Sequence, residues 1–282
     1  MKRWLLMLVC VAAVLPAFSN VNPKLVKKPS AKPERLNFRE SCDNPVSPID
    51  QAINNVRARL NSAGDVWWDG DDGRYVVPKV PPGVPEVSSI FAGAVWLGGK
   101  TPAGEFKVAT QTYGRGSGSF DFWSGPLVPD GPSRGTTSRD TCAAWDRFFV
   151  VTGDEIRLHI ANYKENLQNG TEYREEDIPA GVKGWPGKRN PFFSEIHNFD
   201  LPDTEQGLAG FWDENLDGYY NPLDGDYPVI EIRGCVTPQF PDEMIFWIYN
   251  DAGNTHEESD GLPIRMEVLR GWFGCWCTFC LW

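Results

Sequence analysis

The sequence is poor in several things that would announce a chemistry. It has three histidines among 282 residues, His159, His197 and His256, far apart along the chain. No G-x-S-x-G nucleophile elbow, no H-E-x-x-H metal helix and no lysine-bearing phosphate loop occurs. The glycine-rich "GRGSGSF" at 114–120 has neither the strand–helix setting nor the lysine of a nucleotide site. Basic charge is short too: 27 Lys and Arg against 38 Asp and Glu give −11, which argues against nucleic acid or an anionic membrane as partner. Beyond the first 19 residues no apolar run approaches spanning length. Histidine-based catalysis, phosphate binding and an internal membrane span therefore have no sequence support.

What is present points outward from the cell. Lys2 and Arg3 precede an apolar run from Trp4 to Leu15, then Ala17, Phe18 and Ser19. A basic head, a short apolar centre and small residues before a cut form the plan of a secretory signal peptide, with cleavage expected after Ser19. Six cysteines remain beyond it: Cys42, Cys142, Cys235, Cys275, Cys277 and Cys280. Export permits disulfides, and six cysteines allow 15 pairings among which sequence does not choose.

Residues 20–48 are rich in proline and lysine without apolar periodicity and read as an exposed leader. The expected domain runs over 49–270. Glycine and proline, 28 and 23 residues, are spread along it and favour short strands and turns. Val56, Ala58 and Leu60 alternate with Arg57, Arg59 and Asn61, a strand with one wet face. "SSIFAGAVWLGG" and "EFKVATQTYG" flank a turn at 100–104, a hairpin signal. "EMIFWIYND" and "IRMEVL" also have strand character. The stretch 114–140 reads as a long loop, mobile or functional, and 164–210 as loop-like. One helix is expected near 153–168, with Thr152 and Glu155 as a capping box and Ile156, Ile160 and Tyr163 as its apolar stripe. His159 beside that stripe reads as a packing or surface residue. The fold class expected is mainly β, an antiparallel β-sandwich-like domain with long loops, one short helix and an isolated calcium loop.

That loop is the sharpest local signal. In "DENLDGYYNPLDGDYP", Asp213, Asn215 and Asp217 alternate, Gly218 follows, and Asp224 comes eleven residues after Asp213. These are positions 1, 3, 5, 6 and 12 of a twelve-residue calcium loop. Ca²⁺ takes six to eight hard oxygens, and alternate residues of a curling loop can aim theirs at one centre. Tyr219, at position 7, would give its backbone carbonyl, and Asp226 would assist the short arm of Asp224. Pro222 and Pro228 discourage flanking helices. By contrast, Asp69, Asp71 and Asp72 in "WWDGDDGRY" offer too few ligands and read as a hairpin turn. The polar stretch 250–261 with His256 reads as a solvated loop.

Twelve tryptophans leave glycan binding open, because indoles stack on sugar rings, yet Trp67, Trp96 and Trp247 fall in strand patterns and are expected in the core. Residues 271–282, "GWFGCWCTFCLW", hold no charge in a chain that is 23% charged. They are expected to be an aberrant tail, as after a frameshift or premature stop. Cys277 and Cys280 lack a partner pair of zinc-site spacing.

Taken in order, "NNVRARLNSAGDVWWD", "SSIFAGAVWLGG", "KVATQTYG", "DFWSGPL", "CAAWDRFFVVT", the 213–228 loop and "YNDAGNTHEESDGLPIRMEV" resemble the N-terminal region of large secreted surface proteins of Bacteroidota. Those proteins often end in a type IX secretion sorting domain. The resemblance covers roughly 50–269 and implies export and a β-rich extracellular module; it carries no catalytic residues. The leading functional expectation is a secreted calcium-binding surface or adhesion-type module, non-catalytic, whose partner is an extracellular glycan or surface protein. The alternatives are a polysaccharide-active hydrolase or its glycan-binding region, and a fragment without a function of its own.

Overall fold

The computed structural model describes residues 41–111, 120–203, 208–232, 235–236, 240–256, 261 and 265–272; within 231–236 and 265–272 it describes the backbone alone. The expected signal segment, the expected leader up to residue 40 and tail residues 273–282 lie outside the described residues. The chain is mainly β, with several antiparallel sheets and few helices.

The largest sheet joins β1 (Pro48–Gln51), β2 (Arg57–Asn61), β3 (Asp65–Val66), β4 (Tyr75–Val76), β5 (Ser88–Ile90) and β6 (Gly93–Ala94) in the order β5-β4-β2-β3-β6, with β1 on β2. The expected alternation holds here: Ala58 and Leu60 are fully buried, while Arg57 and Arg59 reach outward to Asp50. A two-stranded hairpin follows, β7 (Trp96–Lys100) and β8 (Phe106–Thr110). A second sheet is built on β15 (Glu243–Asn250), flanked by β10 (Phe149–Thr152) and β9 (Trp123–Ser124) on one side and β16 (Arg265–Trp272) on the other, while β13 (Glu231–Ile232) and β14 (Cys235–Val236) form a separate short antiparallel pair.

Seven of the eight residues of β15 are buried, and their period of two divides them between two cores. Met244, Phe246 and Ile248 join an aromatic cluster with Trp145, Phe149, Trp185, Phe193 and Tyr220. Ile245, Trp247 and Tyr249 face the other way, onto Leu60, Ala109 and Phe122, and so link this sheet to the largest one. Trp247 is thus a core residue, as expected.

The helix is where the capping box placed it. It spans Gly153–Asn169; Thr152 Oγ1 accepts from Glu155 N–H, Glu155 accepts from Thr152 N–H, and Gly170 closes the other end with φ +65°. Ile156 is fully buried, with Ile160 and Tyr163 packed against the same cluster. Three shorter helices were not foreseen. Among the described residues the four α-helices are, in chain order, α1 (Arg139–Trp145), α2 (Gly153–Asn169), α3 (Ala180–Lys183) and α4 (Phe193–His197). Short one-turn helices carry too little periodicity to be read beside Pro and Gly, and α3 and α4 owe their place to buried Val182 and Phe193.

Several expectations need correction. Of the loop expected over 114–140, residues 114–119 lie outside the described residues and 128–138 are largely exposed loop, but 120–127 is core, with Phe120, Asp121, Phe122, Trp123, Ser124 and Leu127 all buried. A disulfide joins Cys42 to Cys142, so the end of the leader is tied to the domain. Such a cross-link closes a loop of about 100 residues and, by loop entropy, is worth about 4–5 kcal/mol. His256 is not solvated: its Nδ1 and Nε2 lie 3.0 and 2.6 Å from the Val108 and Asp251 carbonyls. The last strand runs two residues into the supposed tail, pairing Gly271 with Met244 and Trp272 with Glu243. Trp96, expected inside, is 70% exposed.

Candidate metal centre

Residues 213–226 form the loop of a hairpin. Its stem is β11 (Phe211–Trp212) on β12 (Tyr227–Pro228), and Trp212 stacks on Tyr227 with ring centroids 6.1 Å apart. The loop is anchored by Tyr220, whose hydroxyl donates to the Val182 carbonyl at 2.6 Å and whose N–H donates to Lys188. Gly225 lies against the Tyr163 ring of α2, where a Cβ would stand 2.4 Å from a ring carbon.

Inside the loop the acidic side chains are folded onto amides. Asp213 accepts from the N–H groups of Asp217 (3.2 Å) and Gly218 (2.7 Å) through different oxygens. Asn215 Oδ1 accepts from Asp217 N–H, its Nδ2 donates to Asp217 Oδ2, and Asp217 Oδ1 accepts from Tyr219 N–H. Gly218 adopts φ +81°, the left-handed turn that the sixth position requires. Asp224 ends a 3₁₀ turn and accepts from Asn221 Nδ2 at 2.7 Å. Asp226 is fully buried and clamps the loop, taking the Glu214 N–H on one oxygen and the Asn221 N–H on the other, both at 2.8 Å.

Two cations stand beside the loop, Lys188 Nζ at 5.7 Å and the Arg189 guanidinium at 4.5 Å from the Tyr219 ring centre, and Arg189 pairs with Asp203 outside the loop. Among the described residues no Lys or Arg forms an ion pair with Asp213, Glu214, Asp217, Asp224 or Asp226. Burial pushes the Asp226 carboxyl up to about 6; the amides of Asn221 and Glu214 pull it down, and the charges of Asp213 and Asp217 push it up again. The same field raises Tyr163, first through its own burial and then through Glu214, Asp224 and Asp226. Below the loop, fully buried His159 hydrogen-bonds the Tyr173 hydroxyl at 2.9 Å, and its burial lowers its pKa to about 4. His159 is thus the packing residue expected.

The structure brings Asp213, Asn215, Asp217 and Tyr219 into one turn and sets Asp226 within their field, while Asp224 stands on the neighbouring 3₁₀ turn. Among the described residues no three His, Cys, Asp or Glu side chains stand together as a metal cluster. Asp213 and Asp217 are engaged by backbone amides instead, and each carboxylate has about four lone-pair sites, so these bonds leave acceptor capacity for a cation. The donor set is hard oxygen throughout, which fits Ca²⁺ and not a thiol- or imidazole-seeking metal. Asn221 was missed by the sequence reading although it occupies position 9 of the loop, a position that often contributes through water. It receives Leu223 N–H and reaches Asp224. The Asp69 region is a plain turn, its carboxylate accepting the Asp71 and Asp72 amides and pairing with Arg74.

Compared with protein-family models, curated proteins and solved structures, the chain matches none. Among the described residues no helix is long and apolar enough to cross a membrane.

Proposed function

We propose that this chain is a secreted, calcium-stabilised surface or adhesion-type module that binds rather than catalyses, with a sandwich-like stacking of its two larger sheets. The observation that carries the reading is the charge of the 213–226 loop: five carboxylates, one of them fully buried, none ion-paired to Lys or Arg among the described residues, the neighbouring Lys188 and Arg189 lying over the Tyr219 ring instead. Burying or crowding like charges is costly unless an opposite charge arrives. A divalent cation held by Asp213, Asn215, Asp217, the Tyr219 carbonyl and Asp224, with Asp226 behind them, supplies it. The signal-peptide pattern of residues 1–19 and the resemblance to exported Bacteroidota surface proteins support an extracellular setting, where calcium is abundant. Contact between Leu60 of the first sheet and Ile245, Trp247 and Tyr249 of the second supports the stacking.

Calorimetric titration of the metal-free protein with CaCl₂ tests the metal reading. A saturable site lost in Asp217→Ala is expected; equal binding by that variant removes this ligand set. A reducing-sugar assay on polysaccharides tests the non-catalytic part, and turnover there would favour a hydrolase.

A further inference from the structure

The β7–β8 hairpin has two unlike faces. On the inner face Leu97 and Ala109 pack into the cluster of Leu60, Phe122, Ile245, Trp247 and Tyr249. Strand alternation puts Trp96, Gly98 and Lys100 on the outer face, opposite Thr110, Val108 and Phe106. Trp96 is 70% and Phe106 61% exposed. Neither ring is loose. The Trp96 Nε1–H donates to the Gln111 carbonyl at 3.1 Å, which satisfies the indole's polar edge within the hairpin and leaves its apolar surface to solvent. Lys100 Nζ lies 4.9 Å from the Phe106 ring centre, fixing that ring and parking a cation beside it. Between them Gly98 leaves open space where a side chain would stand. The outer face is therefore a floor with an aromatic ring at each end, about 13 Å apart along the strands at roughly 3.3 Å per residue.

Large exposed aromatics held in place by the protein mark a recognition surface more than a packing failure. The rings call for a ligand with flat apolar faces repeated along its length, which is what the C–H faces of linked pyranoses offer. Charge selects further. Among the paired residues of the two strands Lys100 is the charged residue with outer-face parity, since Lys107 has the parity of the inner face. One cation over this length, on a chain of net charge −11, suits a sparsely anionic polymer and repels a densely sulfated one.

We propose that the outer face of the β7–β8 hairpin binds a uronic-acid-bearing polysaccharide, sugar rings lying on Trp96 and Phe106 and a carboxylate meeting Lys100. This rests on the reading of the chain as a binding module, and it names the ligand class and the surface.

Hyaluronan oligosaccharides, which carry one carboxylate per disaccharide, are the probe. Binding is measured by calorimetry in calcium-containing buffer beside carboxyl-reduced hyaluronan and heparin. The wild type is expected to bind hyaluronan more tightly than either comparison ligand. Trp96→Ala should weaken binding about tenfold, the loss of one good stacking contact. Phe106→Ser and Lys100→Gln should each weaken it severalfold, the latter making native and carboxyl-reduced chains alike. Leu158→Ala, an exposed change on α2, should leave it unchanged. No hyaluronan binding by the wild type, Trp96→Ala binding within twofold of it, or preference for heparin overturns the proposal. So does a hairpin-dependent dimer in sedimentation, which would assign the face to a second copy. Melting with and without calcium on the same samples keeps failure here distinct from failure of the metal reading.

Discussion

Two aspartate–glycine turns in this chain look alike in sequence and differ in how their charge is met. In the turn at 69–72, Asp69 takes two backbone amides and Arg74 pairs with it. Burial raises its pKa, but the Asp72 and Asp71 amides and Arg74 outweigh that and hold it below the ordinary range. In the 213–226 loop the amide bonding is equally complete, yet among the described residues no Lys or Arg pairs with a carboxylate, and Asp226 is pushed up to about 6. The first turn is finished by the chain itself. The second keeps five carboxylates without an ion pair among the described residues, and that difference separates a structural turn from a candidate site.

Backbone substitution should separate them most strongly. Gly70 and Gly225 both have positive φ, but a Cβ at Gly70 meets nothing within 4 Å, whereas one at Gly225 meets the Tyr163 ring at 2.4 Å. Gly70→Ala should cost about 1–2 kcal/mol through backbone strain alone. Gly225→Ala adds overpacking, for about 3 kcal/mol or more in denaturant unfolding. Equal costs would mean that the acidic loop does not lean on α2.

Charge removal should then give opposite signs. Asp69→Asn breaks a half-buried pair and should cost about 1 kcal/mol. Asp217→Asn, measured in chelator, relieves repulsion and should leave stability unchanged or raise it by about 0.3 kcal/mol. A cost of about 1 kcal/mol in both would erase the contrast.

The pH dependence is subtler. The pKa of Asp226 is raised, so its contribution is present below about 3.8 and is lost as pH rises through about 6. That of His159 is lowered to about 4, so its contribution is present above about 6.5 and is lost as pH falls toward 4. In the metal-free protein the two slopes oppose each other, and the melting temperature should stay nearly level between pH 4 and 6.5. Calcium, by holding Asp226 ionised, should leave the His159 slope alone, so that the melting temperature rises with pH. A steep fall with rising pH in calcium would count against this pairing of roles.

How much of this the sequence showed depends on whether the signal was local. The capping box of α2, the alternation of β2 and the spacing of Asp213, Asn215, Asp217 and Gly218 are each set by neighbours in sequence, and each was legible. The burial of Asp226, next to the Gly225 that lies against Tyr163 of α2, and of His159 on the same helix depends on where distant segments meet. Phe120, Phe122 and Trp123 read as loop because glycines and serines surround them, yet Phe122 packs between Leu60 of β2 and Ile245 of β15, and Phe120 and Trp123 pack with Cys42, Ala63 and Cys142. Trp96 misled in the opposite sense: a tryptophan in a strand pattern shows that one face is buried, and nothing local shows which.

Calcium-dependent melting of three proteins at one pH tests the central claim most directly. If the cation completes the 213–226 loop, a hundredfold excess over Kd stabilises the parent by about 2.7 kcal/mol. For a domain of this size that is a rise of about 5–10 °C. The same rise should appear in Asp69→Ala and vanish in Asp217→Ala. No rise in the parent, or an undiminished rise in Asp217→Ala, would contradict the account.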